Sequence, residues 1–502
     1  MLLRLGLSCV LFACGHSGAS SPPSVDAQST AASDVETIRE RSQEILADAR
    51  RGPPEAWPAW SWLTDECGPN GTLVAEFDAL SVALVELELV HAATGRCTLV
   101  LNHLERVDAA TMTALVKWSG EALWLDGLQE LDGETALELA KWQPDPHGGD
   151  LHLAGIHRFE GDVAAALATW NGHHLDLGGL HALDLASAQA LAKWGGASLR
   201  LGIESLDEPT AEALAGWGGG ALHLDALESL DEQSARALAT WPGGALYLEH
   251  VRAIDPAVAR ALGAWPGYRL YLSGLEALDG ASAAALSAWP GGTHDGLNGY
   301  LELDGLRALD EDAATALANW RGRELSLKGV RRLDAASARA LVAFPSMEYR
   351  RTLRLDGLRE LDAATARGLA SQKRGAFYLN GVSELRADTA AEFALWGDQA
   401  FVYLSGVRAL DEANARSLSR WEGGNIALDG VEHLSLETAI ALSNWTRGRV
   451  SLDGVQSMDI AVAQALAAAP DLEIQLFGLE LTDDLRPLLC GLDHVLVDCA
   501  SQ

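Results

Sequence analysis

From residue 99 onward, apolar and polar positions follow one recurring pattern. Each copy opens with leucine, a variable residue and leucine, an alternation that puts both leucines on one face of a short strand. Glycine and an aliphatic residue usually follow, as in Gly127-Leu128 and Gly274-Leu275. Glycine at that place predicts a turn with positive φ. After two more residues comes an aliphatic–Asp pair, such as Leu131-Asp132 or Leu278-Asp279, whose Asp is a helix N-cap candidate. Ser or Thr three positions on suits a reciprocal cap, as at Thr111, Thr135, Ser187, Thr210, Ser234 and Ser282. A helical stretch ending in Trp follows. In the copy beginning at Leu270, Leu278, Ser282, Ala285, Leu286 and Trp289 are expected to share one face. Gly-Gly or Pro-Gly then stops the helix.

Copies begin at Leu99, Leu123, Leu151, Leu175, Leu199, Leu222, Leu246, Leu270, Leu301, Leu325, Leu353, Phe377, Val402, Ile426, Val450 and Ile474. The usual step is 24 residues, as from Leu222 to Leu246. Longer steps mark insertions at 143–149, 290–299, 345–352 and around 371–375. Strand, turn, helix and turn at this period resemble the leucine-rich-repeat family, whose units run about 20–29 residues. The resemblance covers residues 99–480 and implies an α/β fold: a β/α solenoid with one parallel sheet on one face and helices on the other. There is one departure. The family usually places Asn or Cys after the strand, whereas here that position holds Leu128, Leu180, Val251, Val330 and Val431, so a polar ladder is replaced by an apolar one. A single copy cannot bury its leucines, and stacking supplies the core. Sixteen strands would make a sheet on the order of 75 Å long.

The flanks read differently. Residues 1–13 carry one early Arg4 and then a short apolar run, the pattern of a secretory signal. The run ends in Leu11-Phe12-Ala13-Cys14, which resembles the bacterial lipoprotein lipobox, with Phe12 departing from the small residue usual there. That resemblance implies cleavage before Cys14, lipid attachment at Cys14, and, with Gly15 rather than Asp following, the outer membrane. Residues 14–33 are small, polar and Pro-containing, and read as a flexible tether. Residues 34–98 are expected to form an N-terminal helix and cap, and residues 481–502 a C-terminal cap. Cys67 and Cys97 lie before the repeats, Cys490 and Cys499 after them. An even count in an exported chain predicts the disulfides Cys67–Cys97 and Cys490–Cys499.

Charge narrows the function. The chain has 37 Lys+Arg against 70 Asp+Glu, a net charge of −33. Such a surface repels phosphate backbones, which argues against nucleic acid as a partner. Hydrophobic residues make up 48% of the sequence, too many for a disordered chain. The tryptophans at one repeat position, from Trp118 to Trp445 with Phe344 in the same column, are in phase with the core leucines and predict a buried ladder.

Variation between copies is greatest at outward strand positions, which in the solenoid reading line a concave, exposed face. The first outward column contains Trp124, His152, Asp176, Arg200, His223, Tyr247, Tyr271, Arg354, Tyr378 and Tyr403. Trp124, His152, Arg200, His223, Tyr247, Tyr271, Arg354, Tyr378 and Tyr403 are the candidate ligand-binding residues, with Tyr247/Tyr271 and Tyr378/Tyr403 expected as stacked pairs. Large, rigid, amphipathic side chains of this type favour contact with a protein or an envelope glycan. No catalytic motif, cofactor motif or full metal-ligand set is present. Asp429 and Asp453, one strand apart, are the nearest approach to a calcium site. The pattern therefore predicts a non-catalytic cell-envelope lipoprotein that binds through its strand face. The alternatives are an enzyme acting on envelope polysaccharide, using acids such as Asp176, Glu302 or Asp304, and a structural spacer.

Overall fold

The computed structural model describes residues 7–13, 71–77 and 98–499, apart from 103, 118–119, 146–147, 293–298, 344–350, 372–373, 398, 422–423 and 470. The helix expected from residue 34, together with Cys14, Cys67 and Cys97, lies outside the described residues. The chain divides into two compact units, Met1–Glu228 with Thr240–Tyr247, and Ser229–Ala239 with Leu248–Gln502.

In the first unit the strands Thr98–Val100, Ala122–Trp124, Asp150–His152, His174–Leu177, Ser198–Leu201, Ala221–Leu224 and Ala245–Tyr247 pair in parallel and in chain order. Their register aligns the first leucine of every copy, from Leu99 to Leu246. Gly71–Phe77 joins Thr98–Val100 in parallel, and Leu7–Ala13 runs antiparallel to Gly71–Phe77. Leu7–Ala13 falls within the segment read as a signal peptide, so cleavage before Cys14 would remove this strand. In the second unit, parallel pairing runs from Arg269–Tyr271 through Thr352–Arg354 and Gln399–Tyr403 to Leu472–Gln475 and Val495–Leu496. All sixteen copy starts lie in strands, with a helix between successive strands, so each unit is a β/α solenoid of leucine-rich-repeat type. No helix among the described residues is long and apolar enough to cross a membrane.

The helices start as the sequence predicts and use their serines and threonines differently. Asp132 Oδ1 accepts the Thr135 amide at 2.8 Å, and Asp279 Oδ1 accepts the Ser282 amide at 2.7 Å. Some hydroxyls of this column reach back one copy instead of capping reciprocally. Ser282 Oγ donates to Ile254 O at 3.2 Å, and Thr365 Oγ1 to Leu333 O at 3.0 Å. Each of these hydroxyls thus ties its helix to the preceding copy. On the helix Gly280–Ser287, Ser282, Ala283 and Leu286 are buried, as is Trp289 beyond its end, while Ala285, expected inward, is half-buried. The buried face is thus displaced by about a tenth of a circle relative to that expectation, toward Ala283.

The post-strand glycine also has a different reason from the one predicted. Positive φ occurs at Gly149, Gly291, Gly292, Gly375, Gly448 and Gly491, all outside that column. Where the column is glycine, the preceding copy's carbonyl lies against it. A Cβ at Gly155 would stand 2.1 Å from Asp126 O, and one at Gly381 2.1 Å from Asp356 O. The aliphatic residue after this column is fully buried, as at Leu128, Leu180, Val251, Val330 and Val431.

The tryptophan column is core. Trp142, Trp170, Trp194, Trp217 and Trp241 in the first unit are all at most 2% exposed, and successive rings stack with centroids 5.6–6.0 Å apart. In the second unit Trp265, Trp289 and Trp320 stack in the same way. Indole N–H groups supply a polar ladder within this apolar one: Trp194 Nε1 donates to Trp170 O, Trp217 Nε1 to Trp194 O, and Trp289 Nε1 to Trp265 O, each at 3.0 Å. Trp118 and Phe344 of this column lie outside the described residues. The buried Arg351 places its guanidinium 5.3 Å from the Trp320 ring centroid and donates to Leu317 O. Burial pushes the Arg351 pKa down to about 9.

The end of the chain continues the second unit. A short helix, Arg486–Leu489, leads to the strand Val495–Leu496, and the disulfide Cys490–Cys499 closes the segment.

Candidate binding face

Two columns of side chains project outward from the strands, and they do different things. The second column, formed by the residue after the second leucine, is largely occupied by holding the copies together. In the first unit Asn102 Oδ1 accepts the Asp126 amide at 3.0 Å, and Asp126 Oδ1 accepts the Ala154 amide at 2.9 Å. In the second unit Asp304 Oδ1 accepts the Lys328 amide at 2.9 Å, Asn380 Oδ1 the Ser405 amide at 3.0 Å, and Asp453 Oδ1 the Phe477 amide at 2.8 Å. Asp429, considered with Asp453 for calcium, accepts the Asp453 amide and the Ser451 hydroxyl. This Asp/Asn ladder satisfies strand-end amides that would otherwise lack partners.

The first column carries the variable chemistry. In the first unit it forms a continuous band. Trp124 and His152 lie with ring centroids 4.4 Å apart. His152 Nδ1 is 3.4 Å from Asp176 Oδ2, and Arg200 bridges Asp176, at 3.6 Å, and Asp225, at 2.5 Å. His223 stacks on Tyr247, with centroids 3.8 Å apart and planes 10° apart. Burial pushes the Asp176 carboxyl up, but the His152 ring, the Gly178 amide and the Arg200 charge outweigh it and hold the group below its usual range. Burial pushes the His223 imidazole down, and the opposing pull of Asp225 does not restore it. A hollow of about 240 Å³ opens at the centre of this band, lined by Asp150, His152, His174, Asp176, Arg200 and His223 among others.

In the second unit the band is more aromatic. Tyr378 and Tyr403 stack with centroids 4.2 Å apart and planes 5° apart, as expected. The Arg354 guanidinium lies 4.4 Å from the Tyr378 ring centroid and is held by Asp356, at 3.3 Å, and Glu324, at 3.6 Å. Tyr271 meets Tyr300 at 5.2 Å, and Tyr300 Oη donates to Glu302 Oε2 at 2.5 Å. Burial, followed by the Glu302 carboxylate, pushes the Tyr300 phenol well above its ordinary value. Tyr247 and Tyr271, expected to pair, belong to different compact units, and each has a ring partner within its own.

All nine candidate ligand-binding residues lie at outward strand positions, grouped as Trp124 to Tyr247 in one unit and Tyr271 to Tyr403 in the other. Sequence reasoning missed a third contributing column, the residue before the first leucine. It supplies Asp150, His174 and Ser198 to the hollow, and Tyr300 and Glu324 to the aromatic band. The alternation itself, extended one residue toward the N-terminus, was the available signal.

No family model matches the chain, and no curated protein is close enough to match. Among solved structures the chain is similar to one titled as the Toll–Spatzle complex, a molecular hub in Drosophila development and innate immunity. The identity is 10% and the TM-score 0.46, and the likeness covers 82% of this chain and 62% of that chain.

Proposed function

We propose that this protein is a non-catalytic lipoprotein of the cell envelope, anchored through Cys14 in the outer membrane, that binds a protein or glycan partner through the outward faces of its strands. One observation carries the reading. The helix caps, the glycine column, the tryptophans and the second outward column are all committed to holding the copies together, whereas the first outward column varies and displays rings and charges. Rings held by stacking and a guanidinium held by carboxylates lose little freedom on contact, which favours binding. The acids considered for catalysis support recognition rather than turnover. Asp176 is held by His152 and Arg200, Glu302 by Tyr300 and Ser273, and Asp304 by Ser326 and Lys328. A general acid would need a raised pKa, and Asp176 is shifted the other way.

The test is affinity capture from the native envelope with the full-length protein, alongside Tyr378→Ala/Tyr403→Ala and Arg200→Gln variants. A partner retained by the parent and lost from either variant supports the reading. Equal capture by all three removes it. Metabolic labelling with a fatty-acid analogue tests the anchor, and label that persists in Cys14→Ser would exclude attachment there.

A further inference from the structure

The hollow in the first unit is lined by His152, Asp176 and Arg200 among others, and each of these three is followed two positions on by a small residue. Where other copies place a polar side chain in the second outward column, Ala154, Gly178 and Gly202 have none to offer. A Cβ at Gly178 would stand 2.9 Å from Asp176 Oδ1 and 3.7 Å from Arg200 Cδ. Asp176 therefore folds back to accept the Gly178 amide at 2.8 Å, and the Arg200 stem lies across the vacated position.

We propose that this hollow is a saccharide subsite, taking one neutral, hydroxyl-bearing ring of a longer glycan that runs along the strand face. The inference rests on the proposed recognition role of that face and names the ligand class for it. The polar lining is a mosaic of acceptors and donors. Asp150 and Asp176 accept, the Arg200 guanidinium donates, and Ser198 and the imidazoles of His152, His174 and His223 do either. The carboxylates of Asp150, Asp176 and Asp225 repel an anion, and Arg200, paired with Asp176 and Asp225, already answers two of the three, which leaves little for a second cation to gain. A hydroxyl both donates and accepts, so it suits every position of the mosaic without importing charge. The volume, about 240 Å³, lies below the range of roughly 300–1,000 Å³ for drug-sized ligands and suits a single ring.

The rings at the two ends give the site its direction. Trp124 lies beside His152 and Tyr247 stacks on His223, so each imidazole fixes an aromatic ring beyond the hollow. Trp124 to Tyr247 is five strand steps, on the order of 24 Å. That span is longer than one sugar and matches several linked rings, whose C–H faces pack on aromatic surfaces as their hydroxyls meet the polar centre.

Ligand-observed saturation-transfer NMR on the full-length protein tests the inference, with glucose and N-acetylglucosamine as neutral probes, glucuronic acid and glucosamine as charged ones, and chito-oligosaccharides as longer chains. The neutral sugars are expected to give signal, with affinity rising along the oligosaccharide series. Arg200→Gln should weaken binding about tenfold through loss of charge-assisted hydrogen bonds. Ser198→Ala should weaken it less, and Trp124→Ala should abolish the gain with chain length. Charged sugars binding as well as neutral ones, no signal from any sugar, or binding indifferent to Arg200→Gln would each overturn the subsite. If sugars fail to bind but an envelope protein is captured and then lost on Arg200→Gln, the ligand class is wrong and the recognition reading stands. Envelope capture unchanged in both the Arg200 and the tyrosine variants sinks the recognition reading itself.

Discussion

The indole N–H of Trp217 donates to the backbone carbonyl of Trp194 at 3.0 Å, with both rings buried and their planes 4° apart. Each such bond joins the end of one helix to the end of the next, in the place where an apolar side chain alone would leave a buried carbonyl without a partner. Trp217→Phe keeps a ring in the stack and removes the donor. The expected effect is a loss of about 1–3 kcal/mol, the penalty of an unsatisfied buried carbonyl added to a smaller ring. Trp170 is the control. Its Nε1 is buried with no hydrogen-bond partner among the described residues, so Trp170→Phe should cost less than Trp217→Phe. Urea denaturation midpoints compare the two, and equal losses would show that the ladder is packing alone.

A post-strand glycine and one after a helix give a second contrast. At Gly155 a Cβ would meet Asp126 O at 2.1 Å, backbone that cannot swing aside, whereas at Gly195 it would meet nothing within 4 Å. Gly155→Ala should therefore lower the thermal midpoint by many degrees or block folding. Gly195→Ala should leave the midpoint unchanged or raise it slightly, since alanine restricts the unfolded chain. Tolerance of alanine at Gly155 would show that adjacent copies can separate at little cost.

Much of this architecture was legible in the sequence because a repeat writes each constraint many times. The strand leucines, the Asp caps and the burial of the tryptophans all follow from periodicity, and a single copy would have identified none of them. What periodicity did not carry was the reason behind a position. Gly127 looks the same in sequence whether it serves φ or close approach, and only the location of Asn102 O, 2.0 Å from its would-be Cβ, separates the two. Likewise Ser282 could serve its own helix or the preceding copy, and the choice depends on where Ile254 O falls. The binding face was legible as a column and not as a site. Arg200 was identifiable as outward-facing, but its two carboxylates come from Asp176 in the preceding copy and from the second column of the following one, at Asp225. The hollow beside it draws its lining from several copies and from two columns, with Asp150, His174 and Ser198 joining His152, Asp176 and His223.

The helix caps make stability depend on acid. Asp132, Asp207 and Asp334 have carboxyls held below the usual value, chiefly by the amides and hydroxyls of Thr135, Thr210 and Ser337. A depressed folded-state pKa means the contribution is fully present above the unfolded value, near pH 4, and is lost as pH falls through the folded value. The thermal midpoint should therefore be flat at neutral pH and fall steeply below about pH 4. Replacing the three residues with Asn keeps a capping oxygen and removes the titration. The triple variant should show a shallower acid limb than the parent. An unchanged limb would assign acid sensitivity to other carboxylates, such as Asp176, whose pKa is also lowered.

The last copy is closed by Cys490–Cys499, which spans nine positions and holds Cys499 where its carbonyl accepts Arg486 Nη1 at 2.7 Å. The segment it ties supplies Val495–Leu496, the terminal strand that covers the edge of Leu472–Gln475. A loop of that length restricts the unfolded chain by about 2–3 kcal/mol. In a stack of copies, where each interacts with its neighbours, the loss should be local. Cys490→Ser/Cys499→Ser should raise hydrogen exchange in residues 472–499 and leave the strands around Tyr271 protected. The same pattern is expected when the parent is treated with a reductant, and no further change when the variant is. Uniform loss of protection across the second unit would instead make this disulfide a global lock on that unit, with the end segment setting the stability of every copy before it.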